Sequence, residues 1–178
     1  MRQSYTIEIA GVTRHLPLCA INENLRIAAF IMLGDVELTI AAARELIKKL
    51  PEHDIIITPE AKGIPLAQEI ARQMGVNRFI VARKAAKLYM VDPISVEVQS
   101  ISTDKKQTLF VDDADVQLMK NKKVLILDDV ISTGESLKAV ELLVQKAGGV
   151  VAAKAAVLAE GDAIGRDDII YLEPLPLF

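Results

Sequence analysis

Residues 124–136, VLILDDVISTGES, place an apolar run, two adjacent carboxylates and a small hydroxylated loop in fixed order, and few architectures accommodate that order. The run Val124 to Leu127 is too short for a helix and stops at charged residues, the pattern of a buried strand. Asp128 and Asp129 follow it. After Val130 and Ile131 comes Ser132-Thr133-Gly134-Glu135-Ser136, and there a helical apolar spacing opens. Strands buried on both faces belong to parallel sheets, whose ligands sit at the carboxyl edge. The loop offers backbone N–H groups with little side-chain bulk, hydroxyls from Ser132, Thr133 and Ser136, and the positive end of a helix dipole. That combination suits a phosphate.

Two acids at a strand end can accept hydrogen bonds from vicinal hydroxyls, as on a ribose, or hold a hydrated divalent cation. One ribose 5-phosphate would span acids and loop. Either half alone has a plain explanation, the acids as a solvated strand terminus and Ser-Thr-Gly as turn composition. A phosphoacceptor receiver domain also has an apolar strand ending in two acids, but too little chain follows here to build one. A P-loop is excluded because no Gly-Lys-Ser/Thr occurs. With both halves joined in register, LILDDVISTGES closely resembles the phosphoribosyl pyrophosphate (PRPP) signature of type I phosphoribosyltransferases. The resemblance implies that Asp128 and Asp129 bind the ribose 2- and 3-hydroxyls. It places the 5-phosphate among Val130, Ile131, Ser132, Thr133, Gly134, Glu135 and Ser136, with Glu135 standing where many members have glycine.

Two further strand ends carry loops of the same kind. A strand over Asp54 to Thr58 runs into Pro59-Glu60-Ala61-Lys62-Gly63 and a helix over Ile64 to Met74. PEAKG resembles the family's pyrophosphate loop and is close to the PEARG form of adenine phosphoribosyltransferases; lysine can neutralise a phosphate there but cannot fork two hydrogen bonds onto it. Another strand, Phe79 to Ala82, ends in Arg83-Lys84-Ala85-Ala86-Lys87. A charge cluster is usually a solvated face, yet this one resembles the basic segment that leads into the mobile loop of purine phosphoribosyltransferases. The resemblance therefore implies that Glu60, Ala61, Lys62, Gly63, Arg83, Lys84 and Lys87 surround pyrophosphate. Leu88 to Val98 would serve as a lid. It contains Glu97 with no tyrosine after it, where the adenine branch carries a Glu-Tyr pair, so other purines stay open as alternatives.

The remaining pattern is that of alternating elements. Tyr5 to Ile9 and Val12 to Leu18 form a hairpin around Gly11, and Leu25 to Leu33 is an apolar run stopped by Gly34-Asp35. In the family this N-terminal segment, residues 1–34, is a variable hood over the nucleobase. Asp35 caps a helix over Val36 to Leu50 that Pro51 closes. Val96 to Ile101 and Gln107 to Val111 form a second hairpin. Asp112, Asp113 and Asp115 read as an exposed loop before a helical turn over Val116 to Met119. A helix over Glu135 to Ala147 stops at Gly148-Gly149, a strand covers Val150 to Leu158, a polar loop Glu160 to Asp168, and Ile169 to Leu172 a last strand. The expected fold is three-layer α/β, a mainly parallel central sheet with helices on both faces plus the hood.

With 178 residues and 51% apolar content the chain supports one core, hence a single domain over 1–178. A net charge of −3 and no long Lys/Arg run argue against nucleic-acid and membrane-surface binding. No signal-peptide pattern opens the chain and no apolar run approaches about 18 residues, so a cytoplasmic protein is expected. Cys19 alone cannot build a disulfide framework, and His15 and His53 stand apart, so Cys/His metal spacing is absent. What the resemblance implies is transfer of a phosphoribosyl group from PRPP to a purine base. Adenine comes first, with xanthine or hypoxanthine/guanine, or a non-catalytic PRPP-binding regulator, as alternatives. Asp128 and Asp129 would be the catalytic pair and the support for Mg²⁺ through water, Asp129 the candidate proton acceptor, and the protein a homodimer.

Overall fold

The computed structural model describes residues 3–99 and 106–178. In chain order its elements are β1 (Ser4–Ile9), β2 (Val12–Ala20), β3 (Arg26–Ala28), α1 (Val36–Ile47), β4 (Ile55–Pro59), α2 (Ile64–Met74) and β5 (Ile80–Ala82). They continue with β6 (Ile94–Gln99), β7 (Lys106–Val111), α3 (Asp113–Met119), β8 (Lys123–Ile131), α4 (Glu135–Lys146), β9 (Val150–Glu160) and β10 (Ile170–Leu175). Five strands make the central sheet in the order β10-β9-β8-β4-β5, every neighbouring pair parallel. The signature strand β8 is therefore central, paired on both edges.

Alternation along these strands sorts side chains into two cores. Ile56 of β4 and Leu125 and Leu127 of β8 pack with α1, α2 and the N-terminal strands. Ile55, Ile57, Val124 and Ile126 pack on the other face with α4, α3 and the β6-β7 hairpin. Helix-covered faces on both sides force near-continuous apolar strands, as the sequence shows. No helix among the described residues is long and apolar enough to cross a membrane.

The N-terminal segment forms its own antiparallel sheet, β1-β2-β3, turned at Ala10-Gly11 with φ of 52° and 80°. Two positive φ values in a two-residue loop match the twist of the flanking strands. This hood is tied to the core at Asp35, whose carboxylate caps the Leu38 amide at 3.1 Å and takes a forked pair from Arg14 at 2.7 and 2.8 Å. The guanidinium holds the Asp35 carboxyl below its ordinary value. One residue thus fixes both the start of α1 and the seat of the hood.

Several boundaries differ from the sequence expectation. The signature strand continues through both acids to Ile131, because Asp128, Val130 and Ile131 stay in register with Ala156, Leu158 and Ala159 of β9. Helix α1 stops at Ile47, short of Leu50. Strand β6 begins at Ile94, inside the segment read as a lid, because Ile94, Val96 and Val98 pack on the α4 side of the sheet. The rest of that hairpin's expected turn lies outside the described residues. Asp112 caps α3 by accepting the Asp115 amide at 3.0 Å, and Asp115 is half-buried against Arg78 at 3.2 Å, not part of an exposed loop. Burial, with Asp112 nearby, raises the Asp115 carboxyl.

Candidate active site

Strand β8 delivers its two acids to different surroundings. Asp129 is 1% exposed, and Lys62 of the β4-α2 loop donates to its Oδ2 at 2.7 Å. Asp128 takes the Asp129 amide at 2.8 Å. Burial, and then the Asp129 carboxylate beside it, push the Asp128 carboxyl up to about 7. One acid is paired with a cation, and the carboxyl of the other is raised by its burial and its neighbour.

Beyond the acids, Asp128, Val130 and residues 131–137 enclose a pocket of about 110 Å³. Gly134 opens α4 in a left-handed conformation, φ 81°, with no side chain capping the helix. Among the described residues the Thr133 and Gly134 amides have no acceptor. The N-terminal end of a 12-residue helix with hydroxyls beside it has the features that suit an anion. Arg166 lies behind the loop, its Nη1 3.0 Å from where a Cβ on Gly134 would stand. Asp168 holds Arg166 at 2.7 Å and Lys154 at 2.6 Å, and Lys154 also reaches Glu141 of α4 at 2.7 Å, so the loop is braced from outside.

A second cleft, about 400 Å³, is walled by Pro59, Glu60, Ala61, Lys62, Lys84, Asp128, Asp129, Val130 and Ser136. The amides of Ala61 and Lys62 have no acceptor among the described residues, whereas that of Glu60 is bound to the Ala82 carbonyl at 2.9 Å. The Glu60 carboxylate takes the Lys84 amide at 3.0 Å and sits 3.5 Å from Arg83 Nη2. That amide, with the charges of Arg83, Lys87 and Lys84, holds the Glu60 carboxyl below its ordinary value. Glu60 thus orders the basic segment from the wall of the cleft. Gly63 lies buried behind the cleft, against Thr58 and Asp128. Arg83 and Lys87 stand outside the walls, near Glu60.

The third opening had no local sequence signal. A cleft of about 360 Å³ runs between the hood, at Ile27, Ala28, Ala29, Phe30 and Ile31, and the sheet edge at Val130, Ser132, Glu160 and Leu175, with Lys62 at its end. It exists because the chain's end closes on the hood: Ile27 bridges Leu177, and Arg26 and Phe178 exchange backbone hydrogen bonds of 2.6 and 2.9 Å. Nothing in residues 26–31 alone announces a partner so distant in sequence.

The described residues contain no cluster of three or more His, Cys, Asp or Glu side chains able to hold a metal by themselves. Two carboxylates facing an open, polar cleft are nevertheless the usual protein share of a Mg²⁺ site, the other ligands being water and substrate oxygens. The donor set fits such an ion.

A curated adenine phosphoribosyltransferase from Thermosipho africanus is 36% identical over 129 residues, covering 68% of this chain and 69% of that protein. Those of Fervidobacterium nodosum and Petrotoga mobilis are 32% and 38% identical, over 69% and 59% of this chain. The chain spans 64% and 57% of those two proteins' lengths. The adenine phosphoribosyltransferase structure from Thermoanaerobacter pseudethanolicus superposes with a TM-score of 0.72 at 23% identity, over 97% of this chain and 95% of that one. The Trypanosoma brucei enzyme in complex with AMP, pyrophosphate and ribose-5-phosphate gives 0.67 at 21% identity, over 97% and 76%. These structures share the fold. Since the phosphoribosyl transferase domain pattern runs through residues 32–172, from the foot of the hood into the last strand and across the helix-end pocket and the Lys62 cleft, the chain belongs to that family.

Proposed function

We propose that this protein transfers the 5-phosphoribosyl group of PRPP to a nitrogen of a purine base, adenine before others, and releases pyrophosphate. One observation carries the reading. Asp128, Val130 and Ser136 wall both the helix-end pocket and the Lys62 cleft, so the two proposed anion sites meet at Asp128 and one sugar bearing phosphates on C5 and C1 would span them. The relatives named adenine phosphoribosyltransferases support the choice of adenine.

The C1–oxygen bond of PRPP breaks through an oxocarbenium-like state, so the protein must hold the ribose in line and stabilise the departing pyrophosphate. In this reading the helix-end loop anchors the 5-phosphate. Lys62 and Lys84 neutralise the leaving group, with Arg83 and Lys87 held close by Glu60. Asp128 and Asp129 accept the ribose hydroxyls. Asp128, which lines both clefts, is better placed for the proton of the base than Asp129, which is engaged by Lys62. When bound, Mg²⁺ would be supported by these two carboxylates and would offset charge on the pyrophosphate. The test is pyrophosphate release from PRPP and Mg²⁺ with adenine, hypoxanthine, guanine and xanthine supplied separately. Release with adenine is expected. PRPP binding without release for any base would overturn catalysis and leave a PRPP-binding regulator.

A homodimer is part of the same proposal. Val36 and Ile40, 69% and 41% exposed, line a shallow apolar groove of about 220 Å³ with Pro65, and Ile31 and Leu33 stand exposed on the segment leading to it. Exposed apolar side chains clustered in this way mark a contact surface. The pair Val36→Glu and Ile40→Glu is expected to leave the monomer folded, since both positions face solvent and an acid at position 36 suits the first turn of α1. Sedimentation should shift from two copies to one; an unchanged distribution would place the contact elsewhere or show that the protein is monomeric.

A further inference from the structure

If the sugar-phosphate lies as proposed, C1 of the ribose faces the opening between hood and sheet edge, and that opening is where a base must sit. Its walls are mostly apolar, with Ile27 and Phe30 on the hood and Leu175 on β10. Of its polar side chains Lys62 pairs with Asp129 and serves the leaving group in the proposed reaction, and Ser132 belongs to the proposed phosphate loop. Glu160 remains. It ends β9 in register with Leu175 and on the hood's side of the sheet, since Leu158, two residues earlier, packs into the hood-side core. Glu160 is half-buried. Among the described residues its carboxylate accepts no hydrogen bond and meets no cation, and it does not cap the 3₁₀ turn Gly161–Ala163 that follows.

A partly desolvated carboxylate with no donor in reach is unfavourable, and a ligand that brings the donor relieves the cost. We infer that Glu160 reads the base by accepting a hydrogen bond from its exocyclic amine, and that selectivity for a 6-aminopurine over an unsubstituted or 6-oxopurine resides in this side chain. The inference rests on the phosphoribosyltransferase reading of the site. An ionised carboxylate only accepts. A 6-amino group donates to it; a 6-oxo group turns lone pairs toward it; an unsubstituted purine leaves it unpaired. Sites built to satisfy a ligand's polar group reject analogues lacking that group strongly, because the site's own group is then stranded.

The experiment is calorimetric binding, without turnover, of AMP, IMP, the 5-monophosphate of unsubstituted purine riboside and ribose 5-phosphate to the wild type, Glu160→Ala and Glu160→Gln. Wild type is expected to hold AMP about 10- to 100-fold more tightly than the amine-free nucleotide. Glu160→Ala should bring those two ligands level, and Glu160→Gln, whose amide both donates and accepts, should narrow the gap between AMP and IMP. Ribose 5-phosphate affinity should be the same in all three proteins. Equal binding of AMP and the amine-free nucleotide by wild type, or an undiminished ratio in Glu160→Ala and Glu160→Gln, overturns the role of Glu160 while ribose 5-phosphate still binds. Loss of ribose 5-phosphate binding in the wild type overturns the sugar-phosphate site itself.

Discussion

Replacing both signature acids, Asp128→Asn with Asp129→Asn, is expected to weaken PRPP binding at least about 100-fold, measured by calorimetry with Mg²⁺, while the chain stays folded. Each acid would accept a charge-assisted hydrogen bond from a ribose hydroxyl, and such bonds contribute about 1.5–3 kcal/mol apiece. The fold survives because Asn fits the same strand positions and because Lys62, half exposed, is rehydrated when Asp129 loses its charge. Stability should move the other way from binding. The Asp128 carboxyl is raised to about 7 in the folded chain against 3.8 for the free group. The folded state therefore binds more protons than the unfolded one between those values, and stability falls as pH rises through that window. Above pH 7 the penalty is fully present, so Asp128→Asn alone should raise Tm there by at least about 2–4 °C and have little effect below pH 4. PRPP affinity retained in the double variant would remove the acids from the sugar site. A pH-independent Tm difference would show that burial and the neighbouring acid do not raise the Asp128 carboxyl.

The sequence was most legible where local chemistry decides. Helix α2 runs from Ile64 to Met74 as expected, because Pro65 suits a first turn and Gly75, at φ 69°, suits the left-handed stop. The small hydroxylated loop opening α4 was legible because its residue types carry their own physics, whereas Lys62 and Lys84 were singled out through the family resemblance, and the fold brings both to the cleft beside the acids. Long-range pairing was harder to read. Charge at Asp128 looked like a strand end, yet the β9 ladder carries the strand three residues further. Likewise Glu160 read as loop, since its place is set by Leu175 across the sheet and by Ile27 on a hood fastened to the chain's end. The Lys62–Asp129 contact joins residues 67 positions apart and left no mark in either segment.

Adding one methyl group at Gly63 tests how closely the β4-α2 loop must approach the signature strand. Gly63 has φ −74°, a value any residue adopts, so only space excludes a side chain. A Cβ there would collide with Thr58 Oγ1 and lie 3.3 Å from the Asp128 Cα and 3.4 Å from its Oδ1. Thr58 is fully buried in β4 and Asp128 is anchored by the β9 ladder, so neither partner yields easily, and the loop must move instead. Gly63→Ala is expected to cost about 1–3 kcal/mol of stability through overpacking. Moving Lys62 and the free amides by an ångström should also lower kcat/KM for PRPP about 100-fold. Thr58→Ala separates the two contacts. Thr58 Oγ1 has no hydrogen-bond partner among the described residues, so its removal strands nothing. Combined with Gly63→Ala it should restore part of the stability, a coupling of at least about 0.5 kcal/mol. It should restore much of the catalysis as well, because the contacts left at Asp128, 3.3 and 3.4 Å, are tight by only about a few tenths of an ångström. Wild-type kinetics in Gly63→Ala would mean that the loop has room to spare and that its nearness to Asp128 plays no part in placing the leaving group.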